Sequence, residues 1–151
     1  MAVGTVSALE PNQWQLISTQ TPTSGTSVSF TGLSGYKTYM VALKGVTKSS
    51  NAWFYATMNS DTTAGDYGGT LGGIQFGQSA STAYGTGLII FDANENVPHS
   101  ILEMFTTSGH YNQNLYADPT AITSIQIYSD TPAGGTVTFS GGTIYLYGIA
   151  A

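Results

Sequence analysis

Thr143-Ile144-Tyr145-Leu146-Tyr147-Gly148-Ile149 sets Ile144 and Leu146 against Tyr145, Tyr147 and Ile149. Strict alternation of β-branched and aromatic residues predicts a strand with two distinct faces. Trp53-Phe54-Tyr55-Ala56-Thr57-Met58-Asn59 reads the same way, with Trp53, Tyr55 and Thr57 on one face and Phe54, Ala56 and Met58 on the other. Tyr39, Val41 and Leu43 share a face within 36–43, and Ile125 aligns with Ile127 within 121–128. Shorter runs at 13–19, 27–30, 73–76, 87–91, 100–106 and 136–139 complete the set.

Turn clusters rich in Gly, Pro, Asn and Asp separate these runs, at 22–25, 32–35, 48–51, 60–69, 94–98, 118–119 and 130–135. No apolar stripe at helical spacing extends beyond a turn or two. About ten short strands between turns predict an all-β chain, an antiparallel β-sandwich of jelly-roll type. Segment 67–86 reads as a long loop with one embedded strand. Trp14, Phe30, Tyr39, Phe91 and Phe139 are the expected aromatic core.

The 151 residues amount to one domain, expected to span 12–151. Residues 1–11 are expected to form an extended arm. Val3, Val6 and Leu9 give it apolar contacts for a neighbouring subunit or shell protein, and it is too short for an independent helix. Residues 1–10 have neither a basic nor an apolar leader region, so synthesis in the cytosol without an N-terminal signal is expected.

Charged residues make up 7% of the chain, against about 25% in ordinary domains. Arginine is absent, and the three lysines are Lys37, Lys44 and Lys48. A net charge of −5 repels phosphate backbones, so no nucleic-acid partner is expected. The longest strongly apolar run, 88–91, is far short of the ~20 residues of a membrane helix. With no cysteine, disulfides and thiolate metal sites are excluded. Such lightly charged surfaces suit proteins packed in an assembly or exposed outside cells, and an ordinary acidic domain is the plainer alternative.

Catalytic chemistry has little to build on. His99 and His110 are the two histidines, and Ser108-Gly109-His110 has the residue types of a hydrolase without an orienting acid in a recognisable pattern. The histidines are read as loop or sheet-surface residues. Asp61 and Asp66 lie close in sequence, but solvated turn carboxylates make a poor acid–base pair. With Asn59 they could offer oxygens to Ca²⁺. A turn built on Asx hydrogen bonds is the favoured alternative. The other acids are read as solvated. No catalytic, cofactor or metal residue is assigned.

Ten tyrosines, six phenylalanines and two tryptophans are the richest feature. Tyr67, Tyr84, Tyr111 and Tyr116 fall on predicted loops. They are the candidate contact surface for protein or glycan, joined by Val3, Val6 and Leu9 of the arm.

Several phrases together resemble a β-sandwich family of tailed-bacteriophage virion proteins. They are Trp14-Gln15-Leu16-Ile17, Val28-Ser29-Phe30-Thr31-Gly32-Leu33 and Gly35-Tyr36-Lys37-Thr38-Tyr39 at the start. Asn59-Ser60-Asp61-Thr62 through Asp66-Tyr67 follows in the middle, and Ala121-Ile122-Thr123-Ser124-Ile125 and Thr143 to Ile149 come at the end. The resemblance implies a structural protein on the virion surface. A capsid decoration or cement protein is the first expectation, since no fibre shaft precedes the domain. A tail- or head-fibre module binding a receptor or host glycan is the alternative. It implies other virion proteins as partners and does not imply catalysis, and with no site assigned no enzymatic activity is expected. Low charge and a Tyr-rich surface lead to the further expectation of closed three-fold symmetry, a homotrimer.

Overall fold

The computed structural model describes residues 12–67, 72–105, 113–130 and 136–151, with the side chains of 77–80, 84–85, 104–105, 113–114 and 130 left aside. The expected arm, 1–11, lies outside the described residues. The strands are β1 (Gln15–Gln20), β2 (Ser27–Thr31), β3 (Tyr36–Met58), β4 (Ile74–Ile90), β5 (His99–Phe105), β6 (Gln113–Tyr116), β7 (Ser124–Asp130) and β8 (Phe139–Ala150). One 3₁₀ turn, Ala64–Tyr67, is the only helical element among the described residues. The chain is all-β, and the strands join in one antiparallel sheet.

The sheet is organised by two long strands. β3 pairs with β4 from Tyr39↔Ile90 to Ala56↔Ile74. On its other edge β3 changes partner. Residues from Tyr36 to Lys48 pair with β8, and Trp53 to Met58 pair with β7. β1 extends the sheet beyond β8, β5 and β6 extend it beyond β4, and β2 lies beside β7. One buried cluster nevertheless joins Val28, Phe30, Ile125 and Ile127 to Val41, Leu88, Ile90, Ile101 and Leu146.

Four expectations need correction. The turn expected at 48–51 is absent, and the two alternating runs on either side belong to the single strand β3. Likewise 74–90 is the one strand β4, not a loop with an embedded strand. Ladders on either side of the polar middle, at Lys48↔Phe139 and Ala52↔Ala80, with the Ser49 N–H donated to the Thr138 carbonyl, hold β3 extended where propensity alone favours a turn. Segment 113–116, read as contact loop, is β6. Trp14 and Phe91, expected in the core, are 42% and 38% exposed, because each lies just outside a strand end.

Parity along β3 explains how so long a strand keeps one core face. Tyr39, Val41 and Leu43 are buried, then Val46, Lys48, Ala52, Phe54, Ala56 and Met58, and at the end of the strand Tyr55 and Thr57 of the other face are buried as well. The change from odd to even falls at Gly45, where φ is 59° and the register with β4 and β8 shifts. One extra residue returns the apolar set to the same side. The opposite strand matches it with Gly142, at φ 87°. A Cβ there would overlap the Gly45 carbonyl and the Val46 Cα.

Gly142→Ala is therefore expected to lower stability by at least about 2 kcal/mol, since both backbone and contact are violated. Gly32→Ala has positive φ but nothing within 4 Å of its new Cβ, and should lose only about 1 kcal/mol. Urea unfolding of the two variants beside the parent checks the difference.

Candidate functional site

Most of the polar side chains singled out in sequence converge where the end of β3, the 3₁₀ turn and the exit of β6 meet. Tyr67 and Tyr116 are both buried, and their rings stack at 5.0 Å. The Tyr67 hydroxyl accepts the Met58 N–H at 3.0 Å and donates to the Asp61 carbonyl at 2.9 Å. The Tyr116 hydroxyl donates to Asp118 Oδ2 at 3.3 Å. These two tyrosines are therefore core posts and not members of an exposed contact surface. Each keeps its ring in the interior because local backbone or Asp118 satisfies its hydroxyl.

His99 lies behind them, fully buried and stacked on Tyr116 at 5.8 Å. Its ring nitrogens lie 3.1 Å from the Asp92 carbonyl oxygen and 2.9 Å from that of Thr120. The surface position expected for it is corrected: it ties two loops together from inside. Glu103, expected to be solvated, is also buried, on the inward side of β5.

Asn59, φ 54°, fastens the same corner. Its Oδ1 accepts the Thr123 N–H at 2.8 Å, and its Nδ2 donates to the Ala121 carbonyl at 3.1 Å. Asp61 Oδ1 accepts the Thr63 N–H and Asp118 Oδ1 the Thr120 N–H, both at 2.8 Å, each two residues on. These are Asx turns, the alternative favoured over a calcium loop. Among the described residues, no group of three or more His, Cys, Asp or Glu is placed to hold a metal ion.

The carboxylates of this corner feel one another. Partial burial and the neighbouring Asp61 push Asp66 above the usual range, with Asp118 adding to the effect. Burial also acts to raise Asp61, but hydrogen bonds from Thr63, Asp66 and Tyr116 outweigh it and hold the group low. The Thr120 hydroxyl and amide hold Asp118 low.

Of the other candidates, Val3, Val6, Leu9 and Tyr111 lie outside the described residues, as do Ser108, Gly109 and His110. Tyr84 has its backbone in β4 opposite Lys44, and its side chain is outside the description.

A different surface emerges that the sequence reading missed. Directly paired residues form the row Leu16, Tyr147, Met40, Ile89 and Leu102 across β1, β8, β3, β4 and β5. Paired residues point to the same side of a sheet. Leu16 is 56% exposed and the other four are half-buried, whereas the adjacent inward row, Leu146, Val41, Leu88 and Glu103, is buried. The row is therefore on the outer face. Tyr145 joins it, its ring 6.1 Å from that of Tyr147, and exposed Leu115 extends it onto β6. The available signal was the run Ile144 to Leu146 to Ile149, apolar on both faces where a half-solvated strand is polar on one.

The chain matches no protein-family model, no curated protein and no solved structure. No helix among the described residues is long and apolar enough to cross a membrane.

Alkaline pH should act on the fold in two opposed ways. Lys48 is buried, its ammonium donating to the Ala52 carbonyl and lying 3.7 Å from the Phe54 ring centre. Burial lowers its pKa to about 8. The folded state then sheds the proton before the unfolded chain does, so stability rises between pH 8 and about 10.5, by roughly 3 kcal/mol in all. Lys48→Met should flatten that rise. Burial, then Tyr36, pushes Tyr39 up to about 12, and burial foremost also raises Tyr67 and Tyr116. Above about pH 10 the unfolded tyrosines ionise first and stability falls. Thermal melts from pH 7 to 11, with tyrosinate absorbance, check both: a monotonic loss from pH 8 upward contradicts the lysine argument, and full ionisation before unfolding contradicts the tyrosine one.

Proposed function

We propose that this protein is a non-catalytic structural component of a tailed-bacteriophage virion, carried on the particle surface, where it decorates and cements the capsid shell. Its partners in this reading are other virion proteins, the major capsid or tail protein. The observation that carries the reading is the uncharged apolar row across the outer face of the sheet, on a chain with 7% charged residues. A sheet face of that character is suited to packing against protein. In the same reading the two pairing zones of β3 turn their strands onto opposite sides of the common core. They form the two layers of a sandwich of jelly-roll type.

The polar corner of Tyr67, Tyr116, His99 and Asp118 fits this role as a fastening. Its hydroxyls and ring nitrogens meet backbone carbonyls, a backbone amide or a neighbouring carboxylate. That leaves these groups engaged in holding loops together, where a general base needs to reach a substrate proton.

Immunogold labelling of purified particles from cells producing this chain tests the proposal. Regular label over the head is the expected result. Label confined to a fibre tip would move the reading to the receptor- or glycan-binding alternative, and particles without label would overturn both.

A further inference from the structure

We infer that His99 is a proton-controlled clamp: its doubly protonated ring fastens two loops together, and its neutral ring can hold only one of them. The ring is fully buried, with Nδ1 3.1 Å from the Asp92 carbonyl oxygen and Nε2 2.9 Å from the Thr120 carbonyl oxygen. A carbonyl oxygen accepts and never donates. Neutral imidazole carries one N–H, so either tautomer leaves a bare nitrogen facing a carbonyl lone pair. The imidazolium, with two N–H groups, donates to both.

The surroundings suit a positive ring. A buried charge needs hydrogen bonds and an opposite charge nearby. Asp118 supplies that charge: its carboxyl is held low chiefly by Thr120, and His99 adds to the effect. The Tyr116 ring stacks on the imidazole at 5.8 Å, within range of a cation–π contribution. Tyr67 stacks on Tyr116 in turn, and Asp61 and Asp66 act on Tyr67 from the 3₁₀ turn. Glu103 is buried on the inward side of β5, four residues along from His99. In the loop before β5, Asp92 and Glu95 are exposed. The Lys37 ammonium donates to Asn12 Oδ1.

Both loops are shaped to present their carbonyls. Asp92, φ 55°, opens a turn in which its carbonyl also accepts the Glu95 N–H at 3.0 Å. Asp118 sets Thr120 through its Asx turn. The Ala93 N–H donates to the Lys37 carbonyl at 2.8 Å, and the Ala93 carbonyl accepts the Ile122 N–H at 2.7 Å. That bond and the His99 ring are what join loop 91–98 to loop 117–123. The clamp is therefore closed on the acid side and opens as pH rises through the titration of the ring.

Nitrogen-15 NMR of the full chain, labelled in histidine and titrated between about pH 5 and 9, tests this across the ordinary histidine range. His110→Gln removes the second histidine and assigns the signals. The expected result is two N–H nitrogens on the acid side, and one N–H with one bare nitrogen on the alkaline side. Over the same interval the protection factors of the Ala93 and Ile122 amides, which correct for the pH dependence of exchange itself, should fall at least about tenfold, as for one charge-assisted hydrogen bond. His99→Gln has a single amide donor group and should show the low protection at every pH. A folded chain with one bare nitrogen throughout overturns the inference, as does a ring with two N–H groups throughout, since no proton then leaves. Titration of the ring with unchanged amide protection overturns it too, as does a His99→Gln chain that keeps the parent's pH dependence. Where His99→Gln does not fold, the parent titration decides. The clamp does not depend on the virion reading, and particle labelling decides that reading alone.

Discussion

Gly45 decides which side of the longest strand faces the core. Without the extra residue it supplies, Val46, Phe54, Ala56 and Met58 would turn to the face opposite Tyr39, Val41 and Leu43. β3 touches β4, β7 and β8, so an error of parity there would propagate through three further strands. The local conformation depends in turn on Gly142, whose missing Cβ leaves space for the Gly45 carbonyl. Two glycines about one hundred positions apart thus set the phase of the whole interior.

Alternation was legible wherever side chains of opposite character alternated. Ile144 and Leu146 are buried beneath half-exposed Tyr145 and Tyr147, whereas in 54–58 both faces are buried, Tyr55 and Thr57 along with Phe54, Ala56 and Met58. Continuity was not legible. Lys48-Ser49-Ser50-Asn51 carries the residue types of a turn, and the pairing of Lys48 with Phe139, of Ser49 with the Thr138 carbonyl and of Ala52 with Ala80 carries the strand through it. β4 was obscured in the same way by its Gly, Ser and Thr. Local propensity describes what a segment prefers alone, and β3 and β4 are formed by their partners.

The candidate surface was misread for a related reason. Tyr67 and Tyr116 have turn residues around them in sequence, and an exposed ring was the natural expectation. Their hydroxyls find partners within a few residues, in Asp61 and Asp118, so burial leaves no polar group stranded. His99 is accommodated by two backbone carbonyls from different loops, a pairing that no spacing in the chain announces. Lys48 is the harder case. Burial of its ammonium lowers the pKa, while the Ala52 carbonyl and the Phe54 ring face receive the charge and offset part of that cost.

Low charge takes on a different meaning once the outer face is known. A sheet with one solvated side is normally apolar within and polar without. Here Met40, Ile89, Leu102 and Tyr147 are paired across four adjacent strands on the outer side, while exposed Ser, Thr and Asn occupy other parts of the fold, such as 49–51 and 60–63. Polar, uncharged solubilising groups and an apolar sheet face are a consistent combination. Hydroxyls and amides keep the chain dissolved without the desolvation cost that ammonium and carboxylate groups would bring to a contact. Fewer charges also weaken long-range repulsion from any partner of like charge. The composition that first set this chain apart and the row found on its sheet are therefore two aspects of one physical property, a surface that can lose water over a broad area without stranding a charge.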